Sequence, residues 1–317
     1  MEWWKKAGFG MFIHLGPYSN YGHGEWVMQI EKISKERYQD EIAAHFDPVN
    51  FNADEIVNLA KDAGMKYIVI TAKHHDGFAM WDTKVKGFVD HTAKKIFSLY
   101  GFAPFARWGR DILMELKKAC DGENIYFGLY YSILDWNHPS QDIYEYYSKM
   151  VSMDYRNAYI SDMKEQLREL INMYSPDIMW FDGDWLCYDG IPDTINWWTK
   201  SDGIELYKFV KGLSPYIIVN ERVARGFGLG DFLCPEEVVP DVPPDRPWET
   251  CQTMNGSWGY DERKEDSYQL AEVFIRERNK VRSMGGNYLL NIGPKGDGSV
   301  SDACKKVLCD LKVMMMD

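Results

Sequence analysis

The stretch YIVITAKHHDGF, residues 67–78, decides the fold class of this chain. Residues 67–72 form an almost continuous apolar run that is rich in β-branched side chains. Such a run is typical of a strand that is buried on both faces of its sheet. Because helices must cover both faces of such a sheet, the stretch predicts an α/β fold with parallel strands.

The same alternation of a short apolar run and an amphipathic stretch continues along the whole chain. Strands are predicted at residues 9–14, 67–72, 125–131, 178–181, 217–220 and 288–292. Helices are predicted at residues 52–62, 111–120, 156–174, 204–213, 267–283 and 302–314. Residues 231–253 are expected to add one or two strands of irregular sequence. Since a doubly wound sheet needs fewer units, we predict a (β/α)8-type, TIM-like barrel that forms one domain over residues 1–317.

Composition and charge narrow the function classes. The 317 residues are 45 % hydrophobic and 26 % charged, as in ordinary soluble globular proteins, with a formal net charge of −12. This charge repels nucleic acid, and no apolar run reaches the roughly 18 residues that a membrane span needs. The six cysteines include no CxxC pair, which argues against a structural zinc site. Because the first residues lack the features of a secretory signal, the expected location is the cytoplasm, although a secreted chain trimmed of its signal would look the same.

Aromatic residues are unusually abundant, with 12 Trp, 20 Tyr and 15 Phe. Most are expected in the core, but an excess of Trp in an acidic protein also suits sugars, whose C–H faces stack on indole rings. The pair Glu25-Trp26 would fit such a ligand, with the carboxylate on hydroxyl groups and the indole on a ring face. A surface Glu beside a core Trp is the alternative interpretation.

Polar or aromatic residues follow the ends of five predicted strands. They are His14; His74 and His75; Asp135 and Trp136; Asp182; and Asn220 and Arg222. Because the active sites of α/β barrels lie at the carboxyl ends of the strands, these residues are expected to converge on one site.

Asp182 leaves an apolar strand in a glycine-containing turn, where a carboxylate serves either as a catalytic group or as a helix cap. Asp184 competes for the capping role, which favours catalysis for Asp182. Retaining glycoside hydrolysis would need a second carboxyl group about 5–5.5 Å away. Four later carboxyl groups are candidates that sequence spacing does not separate: Asp231, Glu236, Glu237 and Glu249.

His74 and His75 raise the alternative of a metal-dependent barrel hydrolase that would also use His14. Adjacent residues of a strand point to opposite faces, and the chain has neither an HxH spacing nor an HExxH motif. Hydrogen bonding to a polyhydroxylated ligand is therefore the preferred interpretation of these histidines. Arg222 is interpreted either as a charge clamp beside the site or as an ordinary ion-pair partner.

Together these motifs resemble those of the α-L-fucosidases of glycoside hydrolase family 29. The matching segments are FGMFIHLGPYS (9–19), HGEW (23–26), YIVITAKHHDGFAMWDT (67–83), RDILMEL (110–116), GLYYSILDWNHP (128–139), MWFDGDW (179–185), VNER (219–222), WETCQTMNGSWGY (248–260) and GGNYLLNIGPKGDG (285–298). They cover most of the chain. The most specific parts are KHHDGF followed by Trp81, and Trp-x-Asp-Gly at 180–183.

The resemblance implies a (β/α)8-like catalytic domain that removes terminal α-L-fucose with retention of configuration, through a fucosyl-enzyme intermediate. It implies that Asp182 is the nucleophile and Glu236 the acid/base, with Glu249 as the second candidate and Glu237 as the third. The fucose ring and its hydroxyl groups would be held by His14, Glu25, Trp26, His74, His75, Tyr131, Trp180, Arg222 and Trp258. No metal or organic cofactor is expected.

Many family members carry a β-sandwich after the barrel, and this chain is expected to lack it. The expected partner is a fucosylated glycan, with no nucleic acid and no membrane, and a homo-oligomer is a candidate assembly. Linkage preference is expected to depend on the loops at 185–202 and 223–247. The third hypothesis is a catalytically inactive fucose-binding protein, which the presence of Asp182 and the later Glu residues disfavours.

Overall fold

The computed structural model describes residues 1–88, 95–101, 104, 108–138, 140–142, 149–150, 153–185 and 197–316. The strands in these ranges are β1 (Phe9–Ile13), β2 (Tyr67–Lys73), β3 (Tyr126–Ser132), β4 (Gln141–Asp142), β5 (Lys149–Met150), β6 (Ile178–Asp182), β7 (Ile218–Val219), β8 (Glu249–Gln252) and β9 (Asn287–Ile292). The α-helices are α1 (Glu2–Ala7), α2 (Pro17–Tyr21), α3 (Val27–Ile30), α4 (Lys35–Arg37), α5 (Ala53–Asp62), α6 (Ile112–Gly122), α7 (Met153–Tyr174), α8 (Lys200–Leu213), α9 (Ala271–Ser283) and α10 (Asp302–Met316). Short π- or 3-10 segments lie at Tyr38–Ile42, Ala43–His45, Glu221–Val223 and Glu262–Ser267. No helix of these described ranges is long and apolar enough to cross a membrane.

Seven of the described strands form one parallel sheet, in the order β7-β6-β3-β2-β1-β9-β8. The strand that the sequence indicated first, β2, lies in the middle, and each of its residues is buried. β4 and β5 pair antiparallel outside this sheet. Ser132 at the end of β3 lies in register with Asp182 at the end of β6. The carboxyl ends of the strands therefore meet along one rim.

Residues 231–237 join the two edges of this sheet and close it into a barrel. Parallel bridges connect Phe232 to Asn220, just after β7, and Glu236 to Cys251 in β8. Backbone hydrogen bonds of 2.6–3.2 Å continue along both sides of the segment. The segment acts as an eighth, irregular strand. The predicted (β/α)8-type barrel and the irregular strands predicted late in the chain are thereby confirmed.

Side chains from all eight strands fill the barrel interior. They are Phe12, Tyr67, Val69, Tyr130, Ile178, Trp180, Ile218, Phe232, Cys234, Cys251 and Leu289, with Trp4 of α1 packed against Phe232. The larger apolar cluster lies between the sheet and the helices. Because strand side chains alternate between the two faces, every second residue points inward. His14, Asp182 and Glu236 share this inward register at the ends of their strands.

Local sequence signals set several helix boundaries. α5 starts after Asn52 and α8 after Thr199, and both side chains accept a backbone N–H of the first helical turn. The helix predicted at 267–283 begins instead at Ala271. The reason is a 3-10 segment that ends four residues earlier, after which Leu270 has extended backbone with ψ 147°.

A buried ion pair links the end of β2 to the loop after β3. The Lys73 ammonium lies 3.0 Å from Asp135 Oδ2, and both side chains are almost fully buried. The ammonium also donates a hydrogen bond of 3.2 Å to the Tyr159 hydroxyl of α7. Next to the pair, the backbone N–H of Trp136 donates to the His75 carbonyl at 2.7 Å. The pair therefore fixes two loops of the carboxyl rim relative to each other.

Asp135→Ala should lower the free energy of unfolding by about 3–5 kcal/mol, because it leaves the Lys73 ammonium buried without its counter-charge. Urea unfolding followed by circular dichroism measures the loss. Asp310→Ala is the matched control, since it breaks the exposed pair of Asp310 with Lys306 on α10 and should cost far less. Equal losses in the two variants would contradict the role of the buried pair.

Candidate active site

A cavity of about 400 Å³ opens at the rim where the carboxyl ends of the strands meet. Its lining residues come from distant parts of the sequence and are Phe12, His14, Glu25, Trp26, His74, His75, Tyr130, Trp180, Asp182, Trp185, Arg222, Glu236, Cys251 and Trp258. Of the site residues that the sequence indicated, seven lie outside this lining: Tyr131, Asp135, Trp136, Asn220, Asp231, Glu237 and Glu249. The structure brings the others together around one space.

Asp182 is the last residue of β6 and is 8 % exposed. Its Oδ1 accepts a hydrogen bond from Arg222 Nη1 at 2.9 Å, and its Oδ2 accepts one from the Tyr130 hydroxyl at 3.2 Å. Arg225 Nη2 lies 3.5 Å from Oδ1. Burial by itself would raise the pKa of Asp182, but the charges around it, that of Arg222 above all, outweigh burial and hold the pKa below its usual range. The carboxylate is therefore ionised, as a nucleophile must be.

The guanidinium of Arg222 lies between two carboxyl groups and is 2 % exposed. Nη1 donates to Asp182, and Nη2 donates to Glu236 Oε2 at 2.7 Å. Cys234 satisfies the remaining side, because its Sγ accepts from Nε and its carbonyl accepts from Nη2, both at 3.2 Å. The guanidinium carbon also lies 4.7 Å from the centre of the Trp180 ring. These contacts fix the guanidinium plane, so Asp182 and Glu236 are held on one rigid group.

The three acid/base candidates occupy different places. Glu236 lines the cavity, with 39 % of its side chain exposed. Glu249 is buried inside the barrel, where it accepts the Trp180 indole N–H at 3.0 Å and the Tyr67 hydroxyl. Burial raises the pKa of Glu249 to about 7. Glu237 lies outside the cavity lining and accepts a backbone N–H at 2.7 Å. The geometry therefore favours Glu236.

Three uncharged histidines line one side of the cavity. Burial lowers the pKa of His14 to about 3 and that of His75 to about 4, and it lowers that of His74 well below its usual value. Nδ1 of His14 bonds to Asn291 Oδ1 at 2.7 Å, and Nδ1 of His75 bonds to Ser132 Oγ at 2.6 Å. Among the residues that the structure describes, Nδ1 of His74 is buried and has no hydrogen-bond partner. This side of the cavity is therefore lined by uncharged imidazoles.

Aromatic side chains form the apolar part of the lining. The rings of Phe12 and Trp258 pack at 6.0 Å, and those of Trp26 and Trp185 at 5.6 Å. Glu25 is buried beside Trp26, and its carboxylate accepts the backbone N–H of the residue after Trp258 at 2.7 Å. This bond fixes the loop that carries Trp258. Flat apolar faces beside hydroxyl-binding groups are suited to a sugar ring.

Tyr130, and not Tyr131, reaches the cavity from β3. The Tyr131 hydroxyl donates to Gln166 of α7 at 2.7 Å, on the outer face of the sheet. Tyr130 instead stacks on His74 at 5.3 Å and on Trp180 at 5.7 Å. The prediction for Tyr131 is therefore wrong by one residue, because adjacent residues of a strand face opposite sides.

Sequence reasoning also missed Phe12, Trp185 and Cys251 as lining residues. Phe12 could have been found from strand alternation, since it stands two residues before His14 and therefore points to the same face of the sheet. Asp184, which the sequence offered as a helix cap, accepts the backbone N–H of Arg225, and residues 186–196 after it lie outside the described residues. Burial raises the pKa of Asp184 to about 6.

The histidines do not form a recognisable metal site. Within the described ranges, no group of three His, Cys, Asp or Glu side chains is arranged to hold a metal ion. Nδ1 of His14 and Nδ1 of His75 already bond to protein side chains. The arrangement is that of a hydrogen-bonding wall around the cavity.

Comparison with known proteins agrees with the resemblance seen in the sequence. Tissue alpha-L-fucosidase of Bos taurus is 32 % identical over 320 residues, which cover 94 % of this chain and 63 % of that protein, so the chain spans less than two thirds of this relative. Alpha-L-fucosidase isoenzyme 1 from Paenibacillus thiaminolyticus has a TM-score of 0.84 at 30 % identity, over 99 % of this chain and 75 % of that chain. Alpha-L-fucosidase AlfC from Lactobacillus casei, in complex with its α-L-fucose product, has a TM-score of 0.79 at 29 % identity, over 99 % and 97 % of the two chains. The family model described as Alpha-L-fucosidase matches residues 1–315, and this chain therefore belongs to the α-L-fucosidase family.

Proposed function

We propose that this chain hydrolyses terminal α-L-fucose from oligosaccharides or glycoconjugates with retention of configuration. The observation that carries the proposal is the pair of carboxyl groups, Asp182 and Glu236, held on the buried guanidinium of Arg222 inside one cavity. A pair of carboxyl groups is the machinery of glycoside hydrolysis, and the family resemblance implies its retaining form. Membership of the α-L-fucosidase family supports fucose as the sugar.

The reaction proceeds in two displacements. In the first, a carboxylate oxygen of Asp182 bonds to the anomeric carbon while the bond to the leaving oxygen breaks, and that oxygen takes the proton of the Glu236 carboxyl group. In the second, the Glu236 carboxylate removes a proton from water. The water oxygen bonds to the anomeric carbon and releases Asp182.

The rest of the lining binds and orients the sugar. The uncharged His14, His74 and His75, together with Glu25, offer hydrogen bonds to hydroxyl groups, and Trp258 offers an apolar ring face. The two carboxyl groups held on one guanidinium disfavour a protein that only binds fucose. The metal-dependent alternative gains no support from the ligand geometry of the described residues.

Asp182→Ala should reduce kcat on an aryl α-L-fucoside by roughly 10³-fold or more, because it removes the attacking group. The assay contains EDTA, and added azide should restore turnover and give β-L-fucosyl azide. Asp310→Ala on α10 is the matched control and should keep full activity. Undiminished turnover in Asp182→Ala would sink the assignment, and loss of intact activity with EDTA would favour the metal-dependent alternative.

Glu236→Ala should slow substrates with poor leaving groups far more than activated aryl fucosides, because only the former need a proton from the enzyme. Azide should accelerate this variant and give α-L-fucosyl azide, since it attacks the fucosyl-enzyme in place of water. Glu249→Ala should lose activity without any azide rescue. Rescue of Glu249→Ala, and none of Glu236→Ala, would reverse the two roles.

The acid limb of kcat/KM should lie below the ordinary pKa of an aspartic acid, which is about 3.9. Asp182 acts when ionised, so activity is lost only as the pH falls through its lowered pKa. Arg225→Met removes a nearby positive charge and should move the acid limb to higher pH. An unmoved limb would contradict this role of Arg225. Recovery of full activity on return to neutral pH separates titration from unfolding.

A further inference from the structure

A second hollow, of about 430 Å³, adjoins the cavity and is called the outer groove here. The two spaces share Arg222 and Glu236. The remaining wall of the outer groove includes Arg225, Leu233 and three prolines, Pro235, Pro240 and Pro244. Glu236 therefore stands at the boundary between the two spaces.

We infer that the outer groove holds the group to which fucose is attached, and that this group is neutral and presents an apolar face. The inference rests on the proposed function. An acid that protonates the leaving oxygen must be within hydrogen-bond reach of it. If fucose fills the inner cavity, the leaving oxygen lies at Glu236, and the group beyond it enters the outer groove.

Apart from its two arginines, the wall of the outer groove is poor in hydrogen-bond donors. Proline has no N–H, so Pro235, Pro240 and Pro244 offer mainly aliphatic surface. The carboxylate of Glu221 already accepts the Cys234 N–H at 3.0 Å. Such a wall suits the C–H face of a pyranose or an aryl ring.

The charges around the outer groove disfavour an anionic leaving group. Its two guanidinium groups already face three carboxyl groups: Arg222 contacts Asp182 and Glu236, while Arg225 lies 3.5 Å from both Asp182 and Asp184. Arg225 is 42 % exposed and offers its other N–H donors to a hydroxyl or carbonyl oxygen. Glu221 adds a further carboxyl group to the wall. Even with Glu236 protonated as the acid, a carboxylate or sulfate on the leaving group would meet three carboxyl groups, Asp182, Asp184 and Glu221, against two guanidinium groups.

The loop that carries Pro240 and Pro244 is fixed at both ends, so the outer groove exists before a ligand enters. Glu237 has a left-handed φ of 54°, which turns the chain out of the barrel directly after Glu236. The Thr250 hydroxyl then donates to the Val238 carbonyl at 2.7 Å, and Arg246 donates to the Gly230 carbonyl at 2.7 Å. This loop belongs to the 223–247 region that was predicted to set linkage preference. Of the other predicted loop, residues 186–196 lie outside the described residues.

The test compares two substrates whose leaving groups differ in size. Fluoride from α-L-fucosyl fluoride is too small to fill the outer groove, whereas a neutral fucosyl disaccharide must place a sugar there. Pro240→Asp should lower kcat/KM for the most rapidly hydrolysed neutral disaccharide by roughly tenfold or more relative to the fluoride. Pro240→Asn introduces a side chain of the same size as Asp but without its charge, and it should change this ratio less. Val313→Asp, on the exposed surface of α10, is the control for added charge.

Each result of this comparison either supports or overturns the inference. A ratio within about twofold of the intact protein for both Pro240→Asp and Pro244→Asp would overturn the inference. Should Pro240→Asp lose fluoride turnover through misfolding, the ratio for Pro244→Asp decides alone. For the intact protein, a sulfate on the sugar beside fucose should slow hydrolysis by roughly tenfold, and equal rates would overturn the preference for a neutral group. If the intact protein hydrolyses neither substrate, the proposed function itself fails.

Discussion

Burial of a guanidinium charge is strongly unfavourable unless hydrogen bonds and opposite charges compensate it. Arg222 meets this condition with Asp182, Glu236 and the sulfur and carbonyl of Cys234. Asp182 comes from β6, Arg222 from the turn after β7, and the other two from the irregular strand at 231–237. The need to compensate one charge therefore fixes three neighbouring strands at their carboxyl ends. The geometry of the two carboxyl groups follows from that constraint.

The same charge is supported from inside the barrel. Trp180 lies under the Arg222 guanidinium, and its indole N–H is held by Glu249. Glu249 also accepts the hydroxyl of Tyr67, which lies on β2. From the sequence alone, Glu249, which follows a tryptophan after a loop, looks like a catalytic candidate. In the structure, its hydrogen bonds to Trp180 and Tyr67, which lie on distant strands, make Glu249 a support for the indole ring beneath the guanidinium.

The strands that are buried on both faces were predictable, because their apolar runs carry the signal without knowledge of the rest of the fold. The convergence of His14, His74 and Asp182 was predictable as well, since all parallel strands end at one rim. The prediction for Tyr131 was one residue off because two tyrosines are adjacent in the sequence. A motif match does not tell which of them points into the barrel. The eighth strand was visible only as irregular sequence, since Pro235 lacks the N–H that regular pairing uses. Its inward register, and hence the direction of Glu236, becomes clear only from its bridges to β7 and β8.

Burial has opposite outcomes for the two kinds of titratable group in the cavity, and both outcomes suit the proposed reaction. The histidines lose their charge because burial disfavours the protonated imidazole. Even at His75, whose ring lies 3.8 Å from the Asp182 carboxylate, this negative neighbour does not offset burial. Asp182 keeps its charge, because the charges around it, that of Arg222 above all, outweigh burial. Positive charge develops on the sugar ring in the transition state. The cavity thus offers a fixed negative charge where that positive charge appears and uncharged hydrogen-bonding groups elsewhere, whereas protonated imidazoles at His14 and His74 would oppose it.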